Sequence, residues 1–240
     1  MEVLSEGQVL EVTAERLAFG GHAIARHADG IVVFVPFAAP GDRLRVEVTA
    51  CEKSFVRARI VEVLAPGPSR TAPRCRHFGD CGGCQFQHVD YAEQVAQKGE
   101  FVRDALVRVG KFDWPAPVQV HHAEPWGYRS RTQLKLHATS GLRRDGKHGR
   151  LRKKERDRRP PPTVQPNGTP VLGFHRGFEH SVVDIEECPV LAPPLEAGMR
   201  DVRAALATMS PTELPYQIEG ACGEGGASWA PDLPGMKKDL

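Results

Sequence analysis

The chain has 240 residues, of which 40% are hydrophobic and 26% are charged, and these are the proportions of a soluble globular protein. It has no apolar run of about 18 residues, which excludes a membrane-spanning segment. Its first residues, Met1 to Glu6, lack the apolar core of a secretion signal, so we expect a cytoplasmic protein without a membrane partner.

The first part of the chain, residues 7–64, has the pattern of short strands separated by turns. Within Arg43–Val48 apolar and polar residues alternate strictly, which places Leu44, Val46 and Val48 on one buried face. The five predicted strands are Gln8–Val12, His22–Arg26, Ile31–Val35, Arg43–Val48 and Phe55–Val63. Five strands at this spacing predict a small closed barrel of OB type, a fold that binds RNA in many proteins and not in others.

A helix is predicted between Asp90 and Gly110, after a stiff linker at 65–69 and an irregular segment that holds three cysteines. Asp90 is suited to cap the first turn, with Glu93 three residues later in the manner of a capping box, and Gly110 is suited to end the helix. The apolar residues on one helix face are Tyr91, Val95, Val102, Leu106 and Val109. We expect this face to serve structural packing and not to bind a ligand.

The second half of the chain predicts strands and one further helix. Residues 128–137 alternate, with Thr132, Leu134 and Leu136 on the apolar side. Further elements are strands at 171–175 and 181–185 and a helix at 195–208. The Gly- and Pro-rich stretch that follows has no obvious closing element. The predicted fold class is mainly β with some α, an N-terminal OB-like barrel followed by an α+β domain.

Positive charge is concentrated within the second half. Between Arg143 and Arg159 ten Lys and Arg residues face three acidic ones, a local net charge of +7 in a chain whose overall net charge is +2. Such a cluster favours contact with a polyanion, and a solvated loop explains it equally well, so both explanations stay open. We predict that residues 141–168, which include three consecutive prolines, form a long insertion without a core.

The cysteines carry the strongest chemical signal, because in a chain without a secretion signal they are expected to be reduced thiols or metal ligands. Cys75, Cys81 and Cys84 lie within ten residues of one another. Three thiols so close in sequence can bind one metal centre only if the backbone wraps tightly round it. Gly82 and Gly83 would permit the unusual dihedral angles and the close approach that such wrapping needs.

A fourth ligand has to come from elsewhere in the chain. Cys188 is the best candidate, because a Cys-Pro pair such as Cys188-Pro189 is often found at iron–sulfur ligands. Zinc prefers two closely spaced cysteine pairs, whereas three clustered thiols and one remote thiol favour a [4Fe–4S] cluster, and zinc stays open as the alternative. Cys51 and Cys222 are expected to be ordinary residues.

The order of these motifs resembles the RNA uracil-5-methyltransferases of the RumA (RlmD) type. The shared features are a barrel like a TRAM domain at 5–64 with the turn Gly20–Ala25, the run Cys75-x5-Cys81-Gly82-Gly83-Cys84-Gln85-Phe86-Gln87-His88 followed by Tyr91, and the segments Trp126–Arg131, Gly173–Arg176 and Cys188–Leu191. The resemblance implies a [4Fe–4S] cluster, RNA contacts from the barrel and the central domain, and a substrate uridine in a structured region of 23S rRNA.

The resemblance also implies a domain organisation. We expect a TRAM or OB-like RNA-binding barrel at 1–66, a cysteine-rich cluster loop and helix at 67–110, and an α+β iron–sulfur-binding central domain at 111–240. The family's S-adenosylmethionine-binding domain follows this region, and the sequence has neither a glycine-rich donor turn nor a supported catalytic cysteine. We therefore expect the chain to be the N-terminal and central part of such an enzyme, with its methyltransferase domain missing or separate, and not catalytic by itself.

Five residues are predicted to contact RNA. Tyr128, Arg129 and Arg131 lie on or beside a strand whose other face is apolar, which leaves the guanidinium groups available to phosphates. His175 and Arg176 are further candidates. A solvated polar face is the alternative explanation for these residues, and a stand-alone iron–sulfur or zinc RNA-binding adaptor is the alternative to an enzyme fragment.

Overall fold

The structure is a computed structural model that describes residues 4–136, 163–165, 168–177 and 181–236. The chain divides into two compact units, of which the first contains Met1–Arg74 and Gln85–Ala123 and the second contains Cys75–Cys84 and Glu124–Leu240. The basic stretch at 143–159, and with it most of the predicted insertion at 141–168, lies outside the described residues. None of the described helices is both long enough and apolar enough to cross a bilayer.

Five strands form a closed β-barrel in the first unit. They are β1 (Val9–Leu17), β2 (His22–Arg26), β3 (Val32–Pro36), β4 (Arg43–Cys51) and β5 (Phe55–Ala65). Around the barrel they follow the order β1-β2-β3-β5-β4, and β3 and β5 run parallel. Leu44, Val46 and Val48 of β4 lie in the core, as their alternation predicted. The predicted OB-like barrel is therefore confirmed.

A buried carboxylate joins the turn before β4 to the chain that leaves β5. The Asp42 side chain is 0% exposed and accepts hydrogen bonds from the N–H groups of Ala39 at 2.6 Å and Gly67 at 2.8 Å. The Arg70 guanidinium donates to both carboxylate oxygens over 2.6 to 3.0 Å. Gly67 has to be glycine here, because a Cβ would lie 2.2 Å from the carbonyl oxygen of Pro40. The ionic cluster thus fixes two distant segments of the barrel together.

The helix of the first unit begins as predicted. The Asp90 side chain caps α1 (Tyr91–Asp104) by accepting a hydrogen bond from the N–H of Glu93 at 2.9 Å. A π-helical turn, Ala105–Val109, continues the helix until Gly110. The helical region therefore has the predicted limits, and its last turn is wider than an α-helix.

The apolar face of this helix is not fully covered within the described residues. Val102 is 49% exposed and Val109 is 82% exposed, so the expected structural packing of the face stays a prediction for these two valines. Phe101 does pack, against the rings of Phe19 and Phe86. Helical periodicity identifies residues that share a face, but it does not show whether another element covers that face.

The described residues of the second unit form a five-stranded sheet and one helix. Its elements are β6 (Arg131–Lys135), β7 (Gly173–His175), β8 (Val182–Asp184), α2 (Pro193–Ala207), β9 (Gln217–Gly223) and β10 (Gly226–Ala230). The strand order is β10-β9-β6-β7-β8. Buried residues of the helix and the sheet form one core, which includes Leu195, Met199, Val202 and Leu206 with Leu134, Leu136 and Ile218. The predicted alternation at 132–136 and the predicted helix are both confirmed.

The hairpin of β9 and β10 was not predicted. We expected no closing element after the second helix, whereas these strands pair at the edge of the sheet and are joined by Glu224 and Gly225. They are rich in glycine and alanine, which have low strand propensity, so no strand pattern is visible in the sequence. The ring of Trp229 occupies the space that side chains at positions 198 and 220 would take. A Cβ on Gly198 would lie 2.6 Å from the ring, and a Cβ on Gly220 would lie 2.5 Å from it.

Candidate metal centre and nucleic-acid interface

Four cysteines are close to one another in the second unit. Cys75, Cys81 and Cys84 lie on the loop at 75–84, and Cys188 lies between β8 and α2. Cys75 and Cys84 both act electrostatically on Cys188, and Cys84 also acts on Cys75 and on Cys81. The fold thus brings together three thiols that are neighbours in sequence and one that lies more than a hundred residues away.

The two other cysteines have different surroundings. Cys51 is exposed at the end of β4 in the first unit, where its thiol contacts the carbonyl oxygen of Leu4 at 3.4 Å. Cys222 lies on β9 and packs against the core of the second unit. These positions agree with the expectation that both are ordinary residues.

Backbone hydrogen bonds hold the cysteine loop beside β7. The N–H of Gly82 donates to the carbonyl oxygen of His175 at 2.9 Å, and the N–H of Gly177 donates to the carbonyl oxygen of Asp80 at 3.1 Å. The side chains of Arg176 and Asp80 form an ion pair at 2.5 Å. The predicted RNA residues His175 and Arg176 are therefore both engaged with the loop that carries three of the cysteines.

Gly82 and Gly83 contribute differently from what we expected. Neither has a positive φ, so the predicted unusual dihedral angles are wrong at these two positions, and the positive φ of the loop is at Gly79, with +97°. The predicted close approach is correct for Gly82, because a Cβ there would lie 2.9 Å from the carbonyl oxygen of His175. At Gly83 a Cβ would meet only the sulfur of Cys81, at an acceptable 3.4 Å.

This difference predicts unequal effects of alanine at two adjacent glycines. Gly82→Ala is expected to lower the free energy of unfolding by roughly 1–3 kcal/mol, because the loop must move away from β7. Gly83→Ala is the matched control and should change it by less than about 0.5 kcal/mol. Urea denaturation under anaerobic conditions measures both values. Equal losses for the two variants would contradict the close contact between Gly82 and β7.

Backbone amides point at three of the four sulfur atoms. The Gly83 N–H donates to the sulfur of Cys81 at 3.4 Å, and the N–H groups of His77 and Val190 lower the pKa of the thiols of Cys75 and Cys188. An N–H group stabilises a sulfur that carries negative charge, and such bonds surround the thiolate ligands of iron–sulfur centres. The loop backbone is therefore arranged to support thiolates.

Burial of these cysteines opposes the formation of thiolates. It raises the pKa of the Cys75 and Cys81 thiols, and it raises the pKa of Cys188 to about 11. Repulsion between neighbouring thiolates adds to this effect, because the cysteines are close enough to act on one another. A positively charged metal centre would offset both burial and the repulsion between thiolates, since it binds thiolates and neutralises their charge. The four cysteines thus form a donor set that fits a thiolate-bound metal centre.

The geometry of a single bound ion is a separate question. Within the described ranges, no three Cys, His, Asp or Glu side chains converge as ligands of one metal ion do. A tetrahedral zinc site needs four sulfurs about 2.3 Å from one point, whereas the ligands of a cubane each bind a different iron and stand farther apart.

The remaining RNA candidates lie along the start of β6. Tyr128 is 60% exposed, and Arg131 is exposed as the first residue of the strand. Arg129 is half-buried and its N–H donates to the carbonyl oxygen of Val190 at 2.9 Å, which joins it to the segment after Cys188. Arg129 also lowers the pKa of Cys81, although burial and the neighbouring thiols raise it more.

Sequence reasoning missed the sheet residues next to Arg131. Gln133, Glu219 and Ser228 line an open trough on the same sheet as Arg131. Two of them belong to the hairpin of β9 and β10, and no motif marks that hairpin. The alternation at 128–137 places Gln133 on the same side of the strand as Arg131, but it gave no reason to assign Gln133 a contact with RNA.

Comparison with known proteins gives both a domain and relatives. The TRAM domain family matches residues 4–61. The 23S rRNA (uracil(1939)-C(5))-methyltransferase RlmD of Halomonas elongata is 35% identical over 83% of this chain and 35% of its own length. The RlmD of Thiobacillus denitrificans is 33% identical over 85% of this chain and 41% of its own length. The chain therefore spans about two fifths of the length of the curated relatives it matches.

One similar solved structure is that of a tRNA (uracil-54, C5)-methyltransferase from Pyrococcus abyssi in complex with S-adenosyl-L-homocysteine. The match covers 88% of this chain and 42% of that chain, with 20% sequence identity and a TM-score of 0.49. Residues 4–61 match the TRAM domain family, and more than four fifths of the chain is similar in sequence to RlmD-type 23S rRNA uracil-5-methyltransferases.

Proposed function

We propose that this chain binds 23S rRNA and holds a [4Fe–4S] cluster on Cys75, Cys81, Cys84 and Cys188, as the RNA-binding part of an RlmD-type uracil-5-methyltransferase. The observation that carries the proposal is the meeting of these four thiols, with amide donors directed at three of them. The TRAM match at residues 4–61 and the RlmD relatives support the RNA part.

The cluster serves the fold rather than electron transfer in this proposal. Its ligands join the loop at 75–84 to Cys188, which closes a loop of more than a hundred residues. The ion pairs of Arg76 with Glu186 and Glu187 also join these segments, but they are exposed and therefore contribute little stability. A bound cluster would supply metal–thiolate bonds between the two segments, and this binding energy is also folding energy.

The RNA contacts are assigned to the barrel and to the start of β6, with Tyr128, Arg129 and Arg131 as the principal candidates. Arg131 is exposed and points away from the core, which suits a contact with phosphate. His175 and Arg176 act mainly through the cysteine loop in this proposal, because the first accepts a hydrogen bond from Gly82 and the second pairs with Asp80.

Methyl transfer is assigned to residues outside these 240. The reaction needs a cysteine thiolate that adds to the base, a bound methyl donor and a base that removes a proton. Cys222 packs against the core, and neither Cys222 nor Cys51 lies in a sequence motif that would support it as a nucleophile. Incubation with S-adenosylmethionine and a 23S rRNA fragment should therefore leave the RNA unmethylated, and methylated uracil in the product would overturn this part.

RNA binding itself is tested by its salt dependence. The chain, purified anaerobically, should bind a 23S rRNA fragment with an affinity that falls steeply between about 50 and 200 mM salt. Arg131→Ala should weaken binding and reduce the salt slope by about 1, as the loss of one phosphate contact does. Arg200→Ala is the matched control, because Arg200 is an exposed arginine on α2. Equal behaviour of the two variants would contradict the role of Arg131, and an absence of binding by the unmodified chain would contradict the proposed function.

A further inference from the structure

The sheet of the second unit has two unlike faces. Thr132 and Leu134 are buried on the face that packs with α2, and Arg131 and Gln133 are exposed on the other. Strand residues alternate between faces, so a cross-strand partner of Arg131 lies on the exposed face as well. Ala221 is this partner.

A shallow trough of about 670 Å³ opens on this exposed face. Its floor is formed by Ala221 on β9 and its partner Ser228 on β10. Both side chains are small, so the floor of the trough lies close to the backbone of the two strands. The volume lies within the range of roughly 300–1,000 Å³ that is typical of sites for small organic groups. A flat group of the size of a base can lie on such a floor.

The walls of the trough differ in chemistry. Arg129 and Arg131 give one side positive charge. Gln133 and Glu219 form the other side, where the Gln133 amide donates to the Glu219 carboxylate at 2.9 Å. Gln217 donates to the same carboxylate oxygen at 2.8 Å, so the Glu219 side chain is held in position. The trough therefore combines cations for a phosphate with fixed hydrogen-bonding groups for the edge of a base.

We propose that this trough holds one unstacked nucleotide from a single-stranded stretch of RNA. The phosphate lies against Arg129 and Arg131, the base lies flat on Ala221 and Ser228, and Gln133 meets the base edge. Bases in a duplex are paired and stacked, so they cannot lie on a sheet in this way, whereas single-stranded segments present their faces to proteins. The inference rests on the proposed RNA binding and specifies which form of RNA the second unit recognises.

Filling the floor tests the inference. Ala221→Leu and Ser228→Leu, each made separately in the full chain, should weaken binding to a single-stranded RNA oligomer by about tenfold, because the larger side chain would occupy the space of the bound base. Both variants should bind a duplex of the same sequence as the unmodified chain does. Ala197→Leu on α2 is the control for an exposed alanine away from the trough. Circular dichroism and iron content verify that each variant is folded.

The outcomes separate this inference from the proposed function. Weaker single-strand binding by either folded trough variant, with normal duplex binding, supports the inference. Unchanged single-strand affinity in both folded trough variants, or an equal loss for the duplex, overturns it while RNA binding by the chain stands. If the unmodified chain binds neither RNA, the proposed function fails first and the inference fails with it.

Discussion

A Cys188→Ala variant is expected to lose at least about 4 kcal/mol of unfolding free energy, which is exceptional for one substitution. Cys188 is 8% exposed and is the remote ligand of the proposed cluster, so its removal would break the link that the cluster makes between the loop at 75–84 and the segment after β8. The large effect arises because metal binding and folding are coupled. Anaerobic urea denaturation, followed by the fluorescence of Trp126 and Trp229, measures the loss.

Cys222→Ala provides the matched control for this experiment. Cys222 is a partly buried cysteine of the same unit, and its truncation should cost only about 1 kcal/mol. If Cys188→Ala costs no more than Cys222→Ala, the remote thiol is an ordinary core residue and the proposed cross-link does not exist.

The second large effect concerns the barrel. Asp42→Ala is expected to destabilise the chain by roughly 3–5 kcal/mol, because it leaves the half-buried Arg70 and two backbone N–H groups without their acceptor. Arg70→Ala should cost a similar amount, since it leaves the Asp42 carboxylate buried without its cation. The double variant should cost much less than the two single losses added together, because the residues act as one unit. Additive losses would contradict the coupling.

The same carboxylate predicts how stability depends on pH. Burial alone would raise the pKa of Asp42, but hydrogen bonds from Arg70, Gly67 and Ala39 outweigh it and lower the pKa below its usual value. The folded state therefore binds this proton less readily than the unfolded state does. The stabilisation is complete above the unfolded pKa of about 4 and is lost as the pH falls through the lower folded value. Asp42→Asn should flatten this acid-side decrease in the free energy of unfolding.

Much of the fold could be predicted because local patterns were strong. The alternation of Leu44, Val46 and Val48 and the Asp90 cap each depend on neighbouring residues, and the structure confirms both. The hairpin of β9 and β10 could not be predicted in this way. The glycines of the hairpin leave room for the ring of Trp229, which also packs against Gly198 on α2. The stability of the hairpin therefore comes from contacts between residues that are distant in sequence.

The candidate site was also predictable only in part. The spacing of Cys75, Cys81 and Cys84 indicated a metal centre, but the function of Gly82 did not follow from its conformational freedom. Glycine is needed at position 82 because a side chain there would come too close to His175, a residue on β7 that is far away in sequence. Arg176 shows the same limitation, since only the fold reveals that it pairs with Asp80 beside the cysteines.

The most direct measurement is iron and acid-labile sulfide analysis, with an absorption spectrum, of the full chain purified without oxygen. We expect a brown protein that absorbs broadly near about 400 nm and contains about four irons and four sulfides per chain. Cys188→Ala should lose both elements, and Cys222→Ala should keep them. A colourless protein that contains one zinc ion, or one that holds no metal yet folds and binds RNA with full affinity, would contradict the proposed centre.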